Sequence, residues 1–310
     1  MGLANWIRNT YRDMRHRDTR EATRDATREL WYGVLRRLNP VFPSGTAVWE
    51  RDWDILVVAD ACRVDLLQST EKFDGVPHIR SVGSKSPEWM ANTFTPEYSD
   101  EMRRTAYITG NPYSKRYRDS KFGLLDELWR SHWQEAKIST MPPRPLTDRV
   151  IGVWQNKDEY HIDQIVVHYM QPHAPFFDHA ELYDGYDQGF GDGGTPDQSK
   201  DVWDQIRYGD ASRKEIWTAY RHNLEVLLEE VDLLKRSCDA DIVLTSDHGN
   251  GLGESGVYGH PRGIPTGEVR NVPWVRIDGK GNSDYTPKED FAERSHSANA
   301  RDRLSALGYK

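Results

Sequence analysis

The run Asp54-Ile55-Leu56-Val57-Val58-Ala59-Asp60 constrains the fold most, because five apolar residues stand in a row without alternation. A strand with one wet face alternates apolar and polar side chains, whereas an unbroken run suits a strand covered on both faces. Further strand candidates are Thr105 to Ile108, Gln164 to Tyr169, Asp241 to Thr245 and Val272 to Ile277. Helical stretches alternate with them, notably Ala211 to about Lys235, where Ile216, Trp217, Tyr220, Leu224, Leu227, Val231 and Leu234 fall on one face. Strand and helix in alternation predict an α/β fold, a mainly parallel central sheet with helices on both sides. Ligands in that architecture gather at the carboxyl ends of the strands.

A chain of 310 residues with 37% hydrophobic and 11% aromatic content can bury a full core. Its net charge of −8 argues against a nucleic-acid partner, since such proteins need a basic surface to displace phosphate counterions. No run approaches the ~18 apolar residues of a membrane span, and the N-terminus lacks the apolar core of a secretory signal. The expected location is therefore the cytoplasm. Cys62 and Cys238 are too few for a disulfide scaffold and lack the paired spacing of a zinc knuckle, so both are expected to be reduced and buried.

Residues 1–45 differ in texture from residues 46–310, with nine arginines in the first forty positions. Leu3, Ile7, Tyr11 and Met14 recur at helical spacing, and a second stripe of Leu30, Val34, Leu35 and Leu38 precedes a helix stop at Asn39-Pro40. One or two amphipathic helices are expected, forming an arm that packs on the rest of the chain or on a second subunit of a homo-oligomer. An alternative is peripheral attachment to an anionic membrane through the Arg-rich face and Trp6. The stretch Asp184 to Asp201 has loop composition and reads as a surface loop or lid; a calcium site is the weaker alternative, because the EF-hand spacing is absent.

The strongest chemical signal is Thr245-Ser246-Asp247-His248-Gly249, where the apolar strand Ile242-Val243-Leu244 runs out into a glycine-rich loop. A carboxylate and an imidazole at a strand end can turn toward one ion, and Gly249 lets the following backbone move aside. Asp60 ends the other clearly apolar strand. If the sheet is doubly wound, Asp60, Asp247 and His248 converge across one crevice, and a hydroxyl nucleophile would complete the set. His173 in Gln171-Pro172-His173-Ala174-Pro175 and His260 in Gly259-His260-Pro261 sit beside prolines that fix the local backbone.

Ser246-Asp247-His248-Gly249 through Leu252-Gly253-Glu254-Ser255-Gly256-Val257-Tyr258-Gly259-His260 resembles the C-terminal metal motif of sulfatases and phosphoethanolamine transferases. The segment His168 to Pro175 resembles their His-x-Pro motif, and Asp60 falls where their first metal ligand ends the first core strand. The likeness runs from about residue 50 to 278 and places the chain with the alkaline phosphatase and sulfatase superfamily; the junction of the arm into Trp53-Asp54 is similar to that of sulfatase-like proteins of haloarchaea. It implies a three-layer α/β/α sandwich, one divalent ion (Zn, Mn, Mg or Ca) held by Asp60, Ser86, Asp247 and His248, and His173 and His260 near the transferred group. An additional upstream Asp and His pattern, used by two-metal members, is not found.

The resemblance expects a nucleophile that opens a helix some way after the first ligand, where the helix N-terminus favours an anionic group. Ser81-Val82-Gly83-Ser84-Lys85-Ser86-Pro87-Glu88-Trp89 matches, and Pro87 and Glu88 as first-turn residues place Ser86 at the N-cap. Ser86 could instead merely cap the helix, and Ser84 is the reserve. The formylglycine pattern of ordinary sulfatases is absent around both Cys62 and Ser86, which suits an unmodified serine and phosphate chemistry better. Arg63, Lys85 and Asn111 are further candidates for substrate contact. The function expected is metal-dependent hydrolysis of a phosphate or sulfate ester of a small molecule, glycan or lipid headgroup. Phosphotransfer to a glycan or lipid headgroup, or a catalytically inactive binding protein of the same fold, are the alternatives.

Overall fold

Ile55–Ala59 forms β1, and all five side chains are buried, as an unalternating apolar run requires. In the computed structural model, which describes residues 19–133, 140–183 and 201–288, β1 is a central strand of a seven-stranded sheet. The others are β2 (His78–Arg80), β3 (Thr105–Thr109), β4 (Leu124–Glu127), β5 (Gln164–Tyr169), β6 (Asp241–Thr245) and β9 (Asn271–Asp278), in the order β2-β9-β6-β1-β5-β3-β4. β7 (Gly251–Leu252) and β8 (Tyr258–Gly259) form a separate hairpin. β1 runs parallel to β5 and β6, and β3 runs parallel to β5 and β4. Only β9 breaks the pattern, antiparallel to both β6 and β2. β2 and β4 were not expected from sequence, because both are short and mostly half-exposed, with no apolar run to betray them.

The side chains of β1 divide between two cores: Ile55, Val57 and Ala59 join one, Leu56 and Val58 the other. This alternation is the physical content of three layers. The first core takes α3 (Arg144–Gln155) and α5 (Arg213–Ser237), the second takes α2 (Ser86–Thr93) through Trp89 and Met90. α4 (Val202–Tyr208) precedes α5. α5 starts two residues beyond the expected Ala211, because Ser212 and Glu215 form a reciprocal capping box there. Its expected stripe faces the core, with Trp217 half-buried.

α1 (Thr19–Leu38) ends where Asn39-Pro40 predicts. Its packing face takes only Leu35 from the expected stripe. Tyr32 and Leu35 are buried against Val257, Ile264 and Val269, while Leu30, Val34 and Leu38 stay exposed at 47%, 37% and 43%. Polar anchors set this rotation: Trp31 Nε1 donates to the Ser255 carbonyl at 2.8 Å, Tyr32 Oη accepts from the Tyr258 N–H at 3.1 Å, and Arg28 pairs with Asp204 at 2.9 Å. The earlier stripe from Leu3 to Met14, Trp6 and the loop 184–200 lie outside the described residues. Among the described residues no helix is long and apolar enough to cross a membrane, and Cys62 and Cys238 are both free and buried.

Candidate active site

The parallel strands bring their carboxyl ends to one edge, and there the ends of β1 and β6 are laced together. The Ala61 N–H donates to Asp247 Oδ1 at 3.0 Å and the Cys62 N–H to Ser246 Oγ at 2.8 Å. This lacing holds Ala61 in the left-handed region, φ 65°, and turns the chain sharply after Asp60. Asp247 Oδ1 also accepts from the His248 N–H at 2.9 Å. Gly249 serves by size rather than by conformational freedom: a Cβ there would lie 2.3 Å from the Glu268 carbonyl oxygen.

α2 supplies the hydroxyl. A correction applies to its cap: Lys85 is the N-cap, in extended conformation, and Ser86 is already the first helical residue with no capping bond of its own. Gly83 is needed just before it, because a Cβ would meet Trp89 N at 2.3 Å. Released from capping, Ser86 Oγ lies 3.3 Å from Asp60 Oδ2 and 3.4 Å from His248 Nε2. Ser84 faces elsewhere, 2.6 Å from Glu88 Oε2 and accepting from the Gly263 N–H at 2.7 Å.

Asp60, Ser86, Asp247 and His248 thus come together, every one of them buried. Among the described residues Asp60 Oδ1 and Asp247 Oδ2 have no hydrogen-bond partner, and His248 Nε2 lies 3.6 Å from the first and 3.5 Å from the second. Orphaned carboxylate oxygens in a dry site are costly unless a cation sits between them. Ser86 Oγ lies 3.3–3.4 Å from Asp60 and His248, and His248 Nε2 3.5–3.6 Å from the two carboxylates, close to the roughly 3.3–3.5 Å between neighbouring ligands of an ion with bonds near 2.0–2.1 Å. The donor set therefore fits a divalent ion. Burial first, and then the neighbouring Asp247, push the Asp60 carboxyl well above its usual range. Burial opposes ionisation of Asp247 too, but the His248 and His168 imidazoles and the Ala61 N–H outweigh it and hold that carboxyl low.

His168 was missed. It sits near the end of β5, fully buried, with Nε2 3.5 Å from Asp247 Oδ2 and 4.0 Å from Asp60 Oδ2, and the trio Asp60, His168 and Asp247 is compact enough to hold a metal. The signal was present: one histidine in the otherwise apolar run Ile165-Val166-Val167 at a strand's carboxyl end.

His173 and His260 reach the same place, their rings 5.0 Å apart, with His260 stacked 4.4 Å from His248. Burial pushes His173 down to about 4 and His248 below its usual value, and it drives His260 lower still, aided by the other two imidazoles. Each Nδ1 faces an acceptor: Gly249 O for His248 at 3.0 Å, Ala174 O for His173 at 2.5 Å, Asn250 Oδ1 for His260 at 2.6 Å. With the proton on Nδ1, Nε2 of each carries the lone pair. Asn250, and Asn223 of α5, whose Nδ2 donates to the His173 carbonyl at 3.0 Å, were not singled out from sequence and belong to this support.

Lys85, Ser86, His173 and His260 line one cavity. Burial lowers the Lys85 pKa. Asn111 lies behind the site instead: its Nδ2 donates to Asp60 Oδ2 at 2.8 Å, the amide orientation being fixed by the Tyr113 N–H on Oδ1. Arg63 is not brought to the cavity. Its guanidinium pairs with Asp65 at 2.6 Å and Glu254 at 3.0 Å and donates to the Asn250 carbonyl at 2.7 Å.

Comparison with known proteins bears on the same residues. No curated protein matches the sequence. Among solved structures, the soluble domain of lipooligosaccharide phosphoethanolamine transferase A from Neisseria meningitidis is 12% identical over 77% of this chain and 80% of its own, with TM-score 0.44. The C-terminal periplasmic domain of EcEptC from Escherichia coli, in complex with Zn, is 13% identical over 78% of each chain, with TM-score 0.41. A protein of a glycosaminoglycan-metabolism locus of Bacteroides thetaiotaomicron is 12% identical over 74% of this chain and 67% of its own, with TM-score 0.33. At these values the likenesses carry no functional weight. The sulfatase family model, in contrast, matches residues 85–283, more than half of the chain, and with it Ser86, His168, His173, Asp247, His248 and His260. On that match the chain belongs to the sulfatase family.

Proposed function

We propose that the protein is a metal-dependent hydrolase of phosphate or sulfate esters with Ser86 as nucleophile, one divalent ion being held by Asp60, Ser86, Asp247 and His248. The observation that carries this reading is the seat of Ser86 Oγ, released from helix capping and placed between Asp60 Oδ2 and His248 Nε2 at 3.3 and 3.4 Å. When bound, the ion would lower the pKa of the hydroxyl and offset charge on the transferred group. Ser86 Oγ forms the new bond to phosphorus or sulfur as the bond to the leaving oxygen breaks. His173 or His260, neutral and with the lone pair on Nε2, accepts the Oγ proton and returns it to the leaving oxygen. Water then repeats the exchange in reverse and frees the serine. Lys85 faces the ester oxygens from the cavity wall. Cys62 is unsuited to the nucleophile's part, since burial pushes its thiol far above the usual range.

Turnover of aryl phosphate monoester, phosphodiester and sulfate substrates with Zn²⁺, Mn²⁺, Mg²⁺ and Ca²⁺ tests this, alongside Ser86→Ala and Asp247→Ala. Metal-dependent turnover lost in both variants, by about 10³-fold or more, supports the reading. Activity that survives Ser86→Ala removes the nucleophile. An added alcohol acceptor separates hydrolysis from phosphotransfer, because a transferase would form the new ester in preference to free phosphate.

A further inference from the structure

Leu30, Trp31, Val34, Leu38, Val41 and Phe42 are the large apolar side chains that stay exposed among the described residues, and all of them lie between positions 30 and 42. Leu30, Val34 and Leu38 recur every four residues, and Trp31 stands three before Val34. Val41 and Phe42 follow Leu38 by three and four, across the short turn Asn39–Val41. At that spacing they form one ridge along the outer side of α1 and its end. Val41 is the most open, at 80%. Exposed apolar surface gathered into one patch marks a place where something docks. α1 lies wholly outside the segment that matches the sulfatase family, so that match does not account for the ridge.

Charge divides across the helix in the same way. The inner side of α1 is engaged within the protein: Arg28 pairs with Asp204, Asp25 with Arg207, and Tyr32 Oη accepts from the Tyr258 N–H. Arg28, Glu29, Tyr32 and Arg36 also wall a cavity of about 260 Å³ that shares Lys85 with the reaction cavity. The outer side carries cations. Arg24, two turns before Trp31, and Arg37, three residues after Val34, are both exposed beside the ridge. Arg80 lies over the Phe42 ring at 5.7 Å and adds a third cation at its end. Asp25 and Glu29, in contrast, belong to the inner side. The whole arm shares this bias, with nine arginines against five acidic residues in the first forty positions of a chain whose net charge is −8.

This arrangement selects among possible occupants. A second copy of the chain laid on the ridge would set arginines against arginines, and like charges brought together oppose association. A single helix face is also convex, so a protein partner needs a matching groove, whereas a bilayer does not. Apolar side chains of such a face enter the boundary between headgroups and acyl chains, aromatic rings sit at headgroup level, and arginines stretch along their stems to the lipid phosphates. We propose that the outer face of α1, from Leu30 to Phe42, docks the protein on the surface of an anionic lipid bilayer, with the helix lying in the interface plane. The inference is independent of the ester chemistry proposed above.

Cosedimentation of the full-length protein with vesicles tests it, comparing phosphatidylcholine alone with phosphatidylcholine containing about 30 mol% phosphatidylglycerol. Binding to the anionic vesicles is expected to be about tenfold tighter or better, the weight of two or three arginines near a charged surface, and this preference shrinks as salt rises. Leu30→Gln/Val34→Gln/Leu38→Gln changes exposed positions only; its Tm should match the parent's while binding to the anionic vesicles falls about tenfold or more. In Arg24→Gln/Arg37→Gln the preference for anionic vesicles should drop to about threefold or less. No binding by the parent protein, equal binding to the two kinds of vesicle, or binding that both variants keep each overturns the proposal, the last by placing the contact elsewhere on the chain. A parent that is dimeric without lipid by analytical ultracentrifugation, and monomeric in the triple variant, would give the ridge to a second copy and overturn it as well.

Discussion

Asn250 Oδ1 lies 2.6 Å from Nδ1 of His260, and the Asn250 amide is oriented by its other end, which approaches Tyr220 Oη at 3.4 Å. The Asn250 carbonyl in turn accepts from Arg63. Asn250, two residues beyond His248, therefore decides which nitrogen of His260 keeps its lone pair.

Asn250→Leu removes that control. Activity is expected to fall about 10–100-fold with divalent-ion binding retained. Asn250→Asp keeps the acceptor and adds a negative charge, which raises the His260 pKa and moves the acid limb of the pH–rate profile to higher pH. An unchanged profile in the Asp variant would mean that His260 takes no part in proton transfer.

Asp60 is an expensive carboxylate in the metal-free protein. Its pKa is raised by burial and by Asp247, so the ionised form is disfavoured in the fold and weakens it at pH values above the ordinary carboxylate range; below that range the effect vanishes. Asp60→Asn is therefore expected to raise the metal-free Tm at pH 7 by about 2–4 °C and to abolish the rise that divalent ions give the parent. Thermal melts with and without chelator check both halves, and a lower metal-free Tm for the variant would count against a site built for a cation.

Acid should unfold the metal-free protein early. His173 is held near 4 by burial, and His248 and His260 are shifted in the same direction. Unfolded, each would bind a proton near pH 6.5, so the unfolded state holds more protons between about 6.5 and 4. The stability these groups contribute is whole above 6.5 and is lost as pH falls through that window, His173 accounting for at most about 3 kcal/mol. Denaturant titrations at pH 7.5 and 4.5 measure the loss. His173→Gln should flatten it, and equal slopes in parent and variant would refute the assignment.

Arg63 is expected to matter for stability rather than for substrate. Arg63→Met takes the guanidinium from Asp65 and the Asn250 carbonyl, and one of two cationic partners from half-buried Glu254, which keeps Arg213. The expected cost is about 2–4 kcal/mol, with KM within about twofold. Lys85→Met, at a residue lining both cavities, should show the reverse pattern, a raised KM with little change in Tm. Steady-state kinetics beside melts on the same preparations distinguish the two.

The sequence alone determined β1, β3, β5, β6 and β9, because apolar runs report burial locally, and it placed Asp60, Asp247 and His248 at strand ends, because those positions follow from where the runs stop. It determined the long helix α5 and the stop of α1 for the same local reason. Only the tertiary structure decided which way side chains turn once distant segments meet. Ser86 and His248 are 162 positions apart, and Ala61 and Asp247 are 186 apart. The facing of Ser86 toward Asp60, the diversion of Arg63, the recruitment of His168, and the rotation of α1 away from its apolar stripe all depend on partners at such separations. Periodicity within a helix or strand carries the burial of its own residues, but it holds no information about the hydrogen-bond acceptor another segment will present.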